Sequence, residues 1–166
     1  KFVAMHDAVR LTTVINAPGL KLEAAVATSD VEILATTSDC TLLRLSGRDK
    51  REQGSHPQAP WQVVDAVKQF TRKPVTRLLH LAKHGYALAQ TDEGISVFSL
   101  EGLNREGALS LVPKTKYPTC FCVNRQETLL CVCTKKKLLI FQWFEGEFTE
   151  LQDFPLSEAV KQVAWC

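Results

Sequence analysis

Leu88-Ala89-Gln90-Thr91-Asp92-Glu93-Gly94-Ile95-Ser96-Val97-Phe98-Ser99 reads as two short apolar strands joined at a polar turn, and the same scheme occurs three times along the chain. The earlier copy is Leu34-Ala35-Thr36-Thr37-Ser38-Asp39-Cys40-Thr41-Leu42-Leu43-Arg44-Leu45, and the later one is Cys131-Val132-Cys133-Thr134-Lys135-Lys136-Lys137-Leu138-Leu139-Ile140-Phe141-Gln142; all three align without gaps. Two apolar runs flanking a tight polar turn predict a β-hairpin. The aligned threonines Thr37, Thr91 and Thr134 lie 54 and 43 residues apart, within the period of propeller blades with loops of unequal length.

Each hairpin is flanked by the pieces that complete a blade. Leu22 to Ala27, Val75 to Leu81 and Thr119 to Val123 precede the hairpins as inner strands, and Trp61 to Val64, Ala108 to Val112 and Phe148 to Gln152 follow as outer strands. The sequence therefore predicts an all-β, WD40-like partial β-propeller of three four-stranded blades, with a fourth opening at Val160 to Trp165. Propellers close with about four to eight blades. The expected domain is thus the N-terminal part of a longer propeller, residues 5–166, with residues 1–4 lying upstream of the first Met, Met5. Ala8 to Val14 reads as a strand without a blade, and Ser46 to Pro60, rich in charge, Gly and Pro, as a solvated loop. Pro18-Gly19, Lys73-Pro74 and Tyr117-Pro118 each break the chain shortly before an inner strand.

Lys and Arg number 20 against 18 Asp and Glu, a net charge of +2 that argues against nucleic acid as a partner. No apolar stretch approaches the roughly 20 residues that span a bilayer, and the chain reads as cytosolic. Of the 6 cysteines, Cys120, Cys122, Cys131, Cys133 and Cys166 sit in apolar runs, where a reduced thiol packs as a small hydrophobe. Cys120-x-Cys122 and Cys131-x-Cys133 place each pair on one face of a strand, unlike the turn-borne knuckles of structural zinc. His6, His56, His80 and His84 are scattered, and no phosphate loop, nucleophile elbow or zinc-protease motif is present. No catalytic residue, metal ligand or cofactor is expected from these patterns. The charged features with a binding reading are Lys135, Lys136 and Lys137 in the third hairpin turn, and Arg48, Lys50 and Arg51 in the first long loop. Such runs most often serve solubility; the alternative is a basic spot for an acidic protein or a phosphoinositide.

Met5-His6-Asp7-Ala8 before a Val- and Leu-rich strand, Lys135-Lys136-Lys137-Leu138 leading into Phe141-Gln142-Trp143, Glu147-Phe148-Thr149-Glu150-Leu151-Gln152, and Val163-Ala164-Trp165-Cys166 occur in this order. Together they resemble the N-terminal citron-homology (CNH) domain of the Vam-six-like vacuolar sorting family, a subunit of the HOPS membrane-tethering complex. Lys73-Pro74-Val75 is also similar to the paralogue found in CORVET, the TGF-beta-receptor-associated protein. The resemblance runs from Met5 to the end of the chain, and the family's helical-repeat region has no counterpart in it. It implies a non-enzymatic interaction domain in late endosome, lysosome or vacuole docking, membrane fusion, autophagy and intracellular protein transport. The implied partners are a late-endosomal Rab GTPase and other HOPS or CORVET subunits, with peripheral membrane association. A citron-homology regulatory domain of a kinase or Rho exchange factor, and a propeller hydrolase, are the alternatives.

Overall fold

The computed structural model describes residues 19–47, 61–101 and 109–165. Twelve strands run in chain order: β1 Leu22–Ser29, β2 Glu32–Thr37, β3 Leu42–Ser46, β4 Gln62–Val67, β5 Arg77–Leu81, β6 Tyr86–Thr91, β7 Gly94–Ser99, β8 Leu109–Leu111, β9 Pro118–Val123, β10 Leu129–Thr134, β11 Lys137–Phe144 and β12 Glu147–Pro155. They form three four-stranded antiparallel sheets, β1 to β4, β5 to β8 and β9 to β12, each ordered from first strand to last, with no helix among the described residues. The all-β, partial propeller architecture expected from the hairpin repeat is therefore present. Ala8 to Val14 lies outside the described residues.

The period of two along each strand decides which side chains meet. In the middle sheet, Leu78, Ala87, Ala89 and Phe98 point to the first sheet, packing with Leu34, Leu42, Phe70 and Val75. The intervening residues Leu81, Leu88, Ile95 and Val97 point the other way and pack with Phe121, Leu130, Val132, Leu139, Phe141 and Phe148 of the third sheet. A strand buried on both faces loses its polar alternation, which is why β6 reads as Tyr-Ala-Leu-Ala-Gln-Thr.

The recurring threonine has a local cause. Thr37 Oγ1 accepts from Thr41 N at 3.2 Å, Thr91 Oγ1 from Glu93 N at 3.2 Å, and Thr134 Oγ1 from Lys137 N at 3.2 Å, so each hydroxyl closes its own hairpin turn. A second repeat lies beside it. The segment leaving each outer strand donates one backbone N–H to that turn: Phe70 N to Cys40 O at 2.9 Å, Tyr117 N to Asp92 O at 3.0 Å, and Leu156 N to Lys136 O at 2.8 Å.

Three expectations are corrected. The second inner strand begins at Arg77, because Val75, though fully buried, lies in the connector after Pro74. The first outer strand is Gln62–Val67, longer than the apolar run that marked it. Val160 to Trp165 does not form a strand: no described strand lies alongside to pair with it. That segment is instead tied to β9, with Val160 O accepting from Thr119 Oγ1 at 2.7 Å.

Four of the cysteines form one array, while Cys40 lies in the first hairpin turn and Cys166 outside the described residues. Cys131 pairs with Cys122 and Cys133 with Cys120 across β9 and β10, which sets four free thiols on the face of the third sheet turned away from the second. Cys120, Cys131 and Cys133 are buried, as the sequence led us to expect, and Cys122 is half-buried. Desolvation, reinforced by the neighbouring thiols, pushes Cys131 from 9.0 up to about 11 and Cys133 up to about 12. A thiol lifted by about two units holds roughly a hundredth of the usual thiolate at pH 8. Native Cys131 and Cys133 are expected to resist a disulfide reagent at pH 8 and to react once the chain is unfolded in guanidinium; equally fast reaction in both states would contradict this packing. Because the neutral thiol is favoured in the fold, stability is full below pH 9 and falls as pH rises through the raised values.

Candidate interaction rim

The strands run between two rims, and charged residues stand at both. At one rim lie the hairpin turns closed by Thr37, Thr91 and Thr134, with the connectors that leave β4, β8 and β12. Here stand Lys68, Arg72, Lys73, Lys114, Lys116, Lys135, Lys136, Lys137 and Lys161, with Asp39, Asp92, Glu93, Asp153 and Glu158 among them. The other rim carries Asp30, Lys83, Glu101, Arg125, Glu127, Glu145 and Glu147 among the described residues. Basic charge thus predominates at the first rim. Arg48, Lys50 and Arg51 lie outside the described residues; their loop leaves Gly47 and returns at Trp61, both at the second rim, where Gly47 N donates to Val31 O at 2.8 Å. The lysine turn and the arginine loop therefore spring from opposite ends of the strands.

The lysines of the first rim differ in their engagements. Lys137 opens β11 rather than standing in the turn, and its ammonium pairs with Asp153, whose carboxyl it holds below the usual carboxylate range. Lys114 pairs with Glu150 at 2.8 Å, and that hydrogen bond and charge raise its own pKa. Lys135 and Lys136 occupy the turn, are exposed, and make no ion pair among the described residues. Lys116 Nζ stands 5.2 Å from the centroid of the Tyr117 ring, which is 58% exposed. Sequence reading missed Lys116 and Tyr117. The run Lys114-Thr115-Lys116-Tyr117-Pro118 carried a basic and aromatic signal, but only the pairing of Pro118 with Thr134 shows that it adjoins the lysine turn.

The second rim holds the middle and third sheets together. Glu127 Oε2 accepts from Lys83 N at 2.8 Å and its Oε1 from Ala82 N at 3.2 Å, so one carboxylate satisfies two backbone donors of the neighbouring sheet. His84 stacks on Trp143 at 4.9 Å, and Tyr86 and Phe148 meet the same indole edge-on at 5.1 and 4.9 Å. His80 is half-buried on β5, the same strand whose Arg77 guanidinium lies 4.7 Å over Phe121. His84 is thus a packing residue. Among the described residues no three His, Cys, Asp or Glu side chains are placed to hold a metal ion.

Four-stranded antiparallel sheets, each ordered from first strand to last and stacked face to face with a shared core, define a β-propeller segment. No family model matches the chain. It is 24% identical to the Vam6/Vps39-like protein of Homo sapiens over 177 aligned residues, 98% of this chain and 20% of that protein. It is 22% identical to vacuolar sorting protein 39 of Arabidopsis thaliana, over 66% of this chain and 11% of that protein. The chain thus spans about a fifth or less of the length of these relatives. Among solved structures, a protein of unknown function from Desulfotomaculum acetoxidans superposes with a TM-score of 0.59 at 13% identity, covering 86% of this chain and 44% of that one. A protein from Bacteroides uniformis, named as a candidate 6-phosphogluconolactonase, gives a TM-score of 0.57 at 14% identity, covering 92% and 48%. At these identities the solved structures speak to the fold alone. No helix of the described residues is long and apolar enough to cross a membrane.

Proposed function

We propose that this chain is an interaction module of the vacuolar and late-endosomal sorting machinery, the N-terminal portion of a citron-homology propeller that docks other proteins and catalyses nothing. The observation that carries this reading is the match to the Vam6/Vps39-like protein, which at 98% coverage takes in all three sheets rather than one hairpin. A rigid stack of sheets suits such a role, because it fixes the loops at its rims while leaving them open to partners. The expected partners are other HOPS or CORVET subunits and a late-endosomal Rab GTPase, and membrane association is peripheral, through those partners.

The test is co-precipitation of the tagged chain from cell extracts, blotted for HOPS and CORVET subunits and for the GTPase. Recovery of at least one of them above an unrelated propeller control is the expected result. Recovery of none, by a chain that circular dichroism shows to be folded, would overturn the reading.

A further inference from the structure

At the first rim, between the middle and third sheets, an exposed aromatic ring sits among lysines that are not engaged elsewhere. Pro118 and Thr134 are the last partners of the β9–β10 ladder at this rim, and Tyr117 and Lys135 are the next residue beyond that pair on each strand. Tyr117 adopts a positive φ of 53°, and its N–H is bound to Asp92 O at 3.0 Å, which fixes the backbone that presents the ring. Lys116, Lys135 and Lys136 are exposed and make no ion pair among the described residues, whereas Lys114 and Lys137 are neutralised by Glu150 and Asp153.

We propose that Lys116, Tyr117, Lys135 and Lys136 form a docking site for a short, extended, acidic peptide segment that carries one aromatic side chain. The inference rests on the reading of the chain as an interaction module and names the chemistry of one partner. Three unpaired ammonium groups beside one ring call for carboxylates flanking an apolar group, which stacks or packs on Tyr117 while the charges pair at the edge. A strand advances about 3.3 Å per residue, so about four residues of extended peptide cover the patch. The same rim speaks against a membrane as occupant. Asp92, Glu93, Asp153 and Glu158 are exposed there, and a flat anionic bilayer laid on the rim meets these carboxylates together with the lysines. A short peptide seated on Tyr117 covers fewer of these carboxylates than a bilayer does, although Asp92, whose carbonyl holds the Tyr117 N–H, stays beside it.

The experiment uses a fluorescein-labelled peptide with two glutamates on each side of a phenylalanine, titrated with the chain and followed by anisotropy. Saturable binding is expected, weakened about tenfold by the double substitution K135E/K136E and about threefold by Tyr117→Ala, lost progressively with added salt, and unchanged by Arg125→Glu at the other rim. Circular dichroism and thermal unfolding of each variant separate lost binding from lost fold. Peptide binding that is absent, or indifferent to K135E/K136E, overturns the proposal. Two further readouts tell which claim has failed. Lysine-dependent capture by vesicles containing phosphatidylserine, without peptide binding, assigns the patch to lipid and overturns the peptide site. Co-precipitation of tethering subunits that K135E/K136E leaves intact also overturns it, while the proposed function stands.

Discussion

Replacing Phe121 with Ala is expected to lower the unfolding free energy by about 3–5 kcal/mol, the range for deleting a buried aromatic ring from a core. Phe121 is fully buried and belongs to the cluster in which Leu81, Leu88, Ile95 and Val97 of the middle sheet meet Leu130, Val132, Leu139 and Phe141 of the third. Its ring also carries the Arg77 guanidinium at 4.7 Å, so truncation removes a cation–π contact along with the packing. The cavity opens at the junction of two sheets rather than inside one. Sheets that share a core are expected to part there first, so hydrogen exchange in β9 to β12 should quicken more than in β1 to β4. Guanidinium unfolding measures the total and exchange mass spectrometry the distribution. A loss under about 1 kcal/mol would mean that the two sheets do not share this core.

The second large effect is expected from Gly94→Ala, at about 2–4 kcal/mol. Gly94 opens β7 with φ at +145°, a conformation that side chains other than glycine rarely adopt, and a Cβ there would stand 2.7 Å from Thr115 Oγ1 and 3.0 Å from Leu111 Cδ1. Thr115 has little room to yield. It is 1% exposed, accepts from Ile95 N at 3.0 Å and donates to Val112 O at 2.7 Å, which makes it the clamp between β7 and the connector to the third sheet. Displacing its hydroxyl leaves a buried N–H and a buried carbonyl without that partner. Thr115→Val, which keeps the shape and removes the hydroxyl, is expected to cost about 1–3 kcal/mol through those two groups alone. The comparison apportions the glycine effect between backbone strain and the broken clamp. If Gly94→Ala costs no more than Thr115→Val, strain at this turn contributes nothing.

The hairpin turns were the most legible part of the fold, and their chemistry shows why. Thr37, Thr91 and Thr134 do the same job in each blade, accepting a backbone N–H across the turn, so the sequence preserves the residue type and the spacing around it. Outer strands were less legible. β8 is only Leu109–Leu111, and β12 runs through Gln152, Asp153 and Phe154 to Pro155, because an edge strand is held by one neighbour and tolerates polar residues on much of its surface. The candidate rim was legible in part. Lys135 and Lys136 announced themselves as a charge run, yet the split between engaged and unengaged lysines depends on Asp153 and Glu150, which lie 16 and 36 residues from the lysines they neutralise. Tyr117 joins Lys135 through the β9–β10 register, and the Glu127 clasp reaches across 44 residues to Lys83; local sequence pattern encodes neither.

Hydrogen exchange on the complex recovered with tethering subunits tests most directly whether the basic rim is where this chain meets the sorting machinery. Slowed exchange confined to residues 114–117 and 134–137, and absent when the complex is formed with K135E/K136E, is the predicted result. Protection confined to the opposite rim, around residues 82–85 and 124–128, would contradict it.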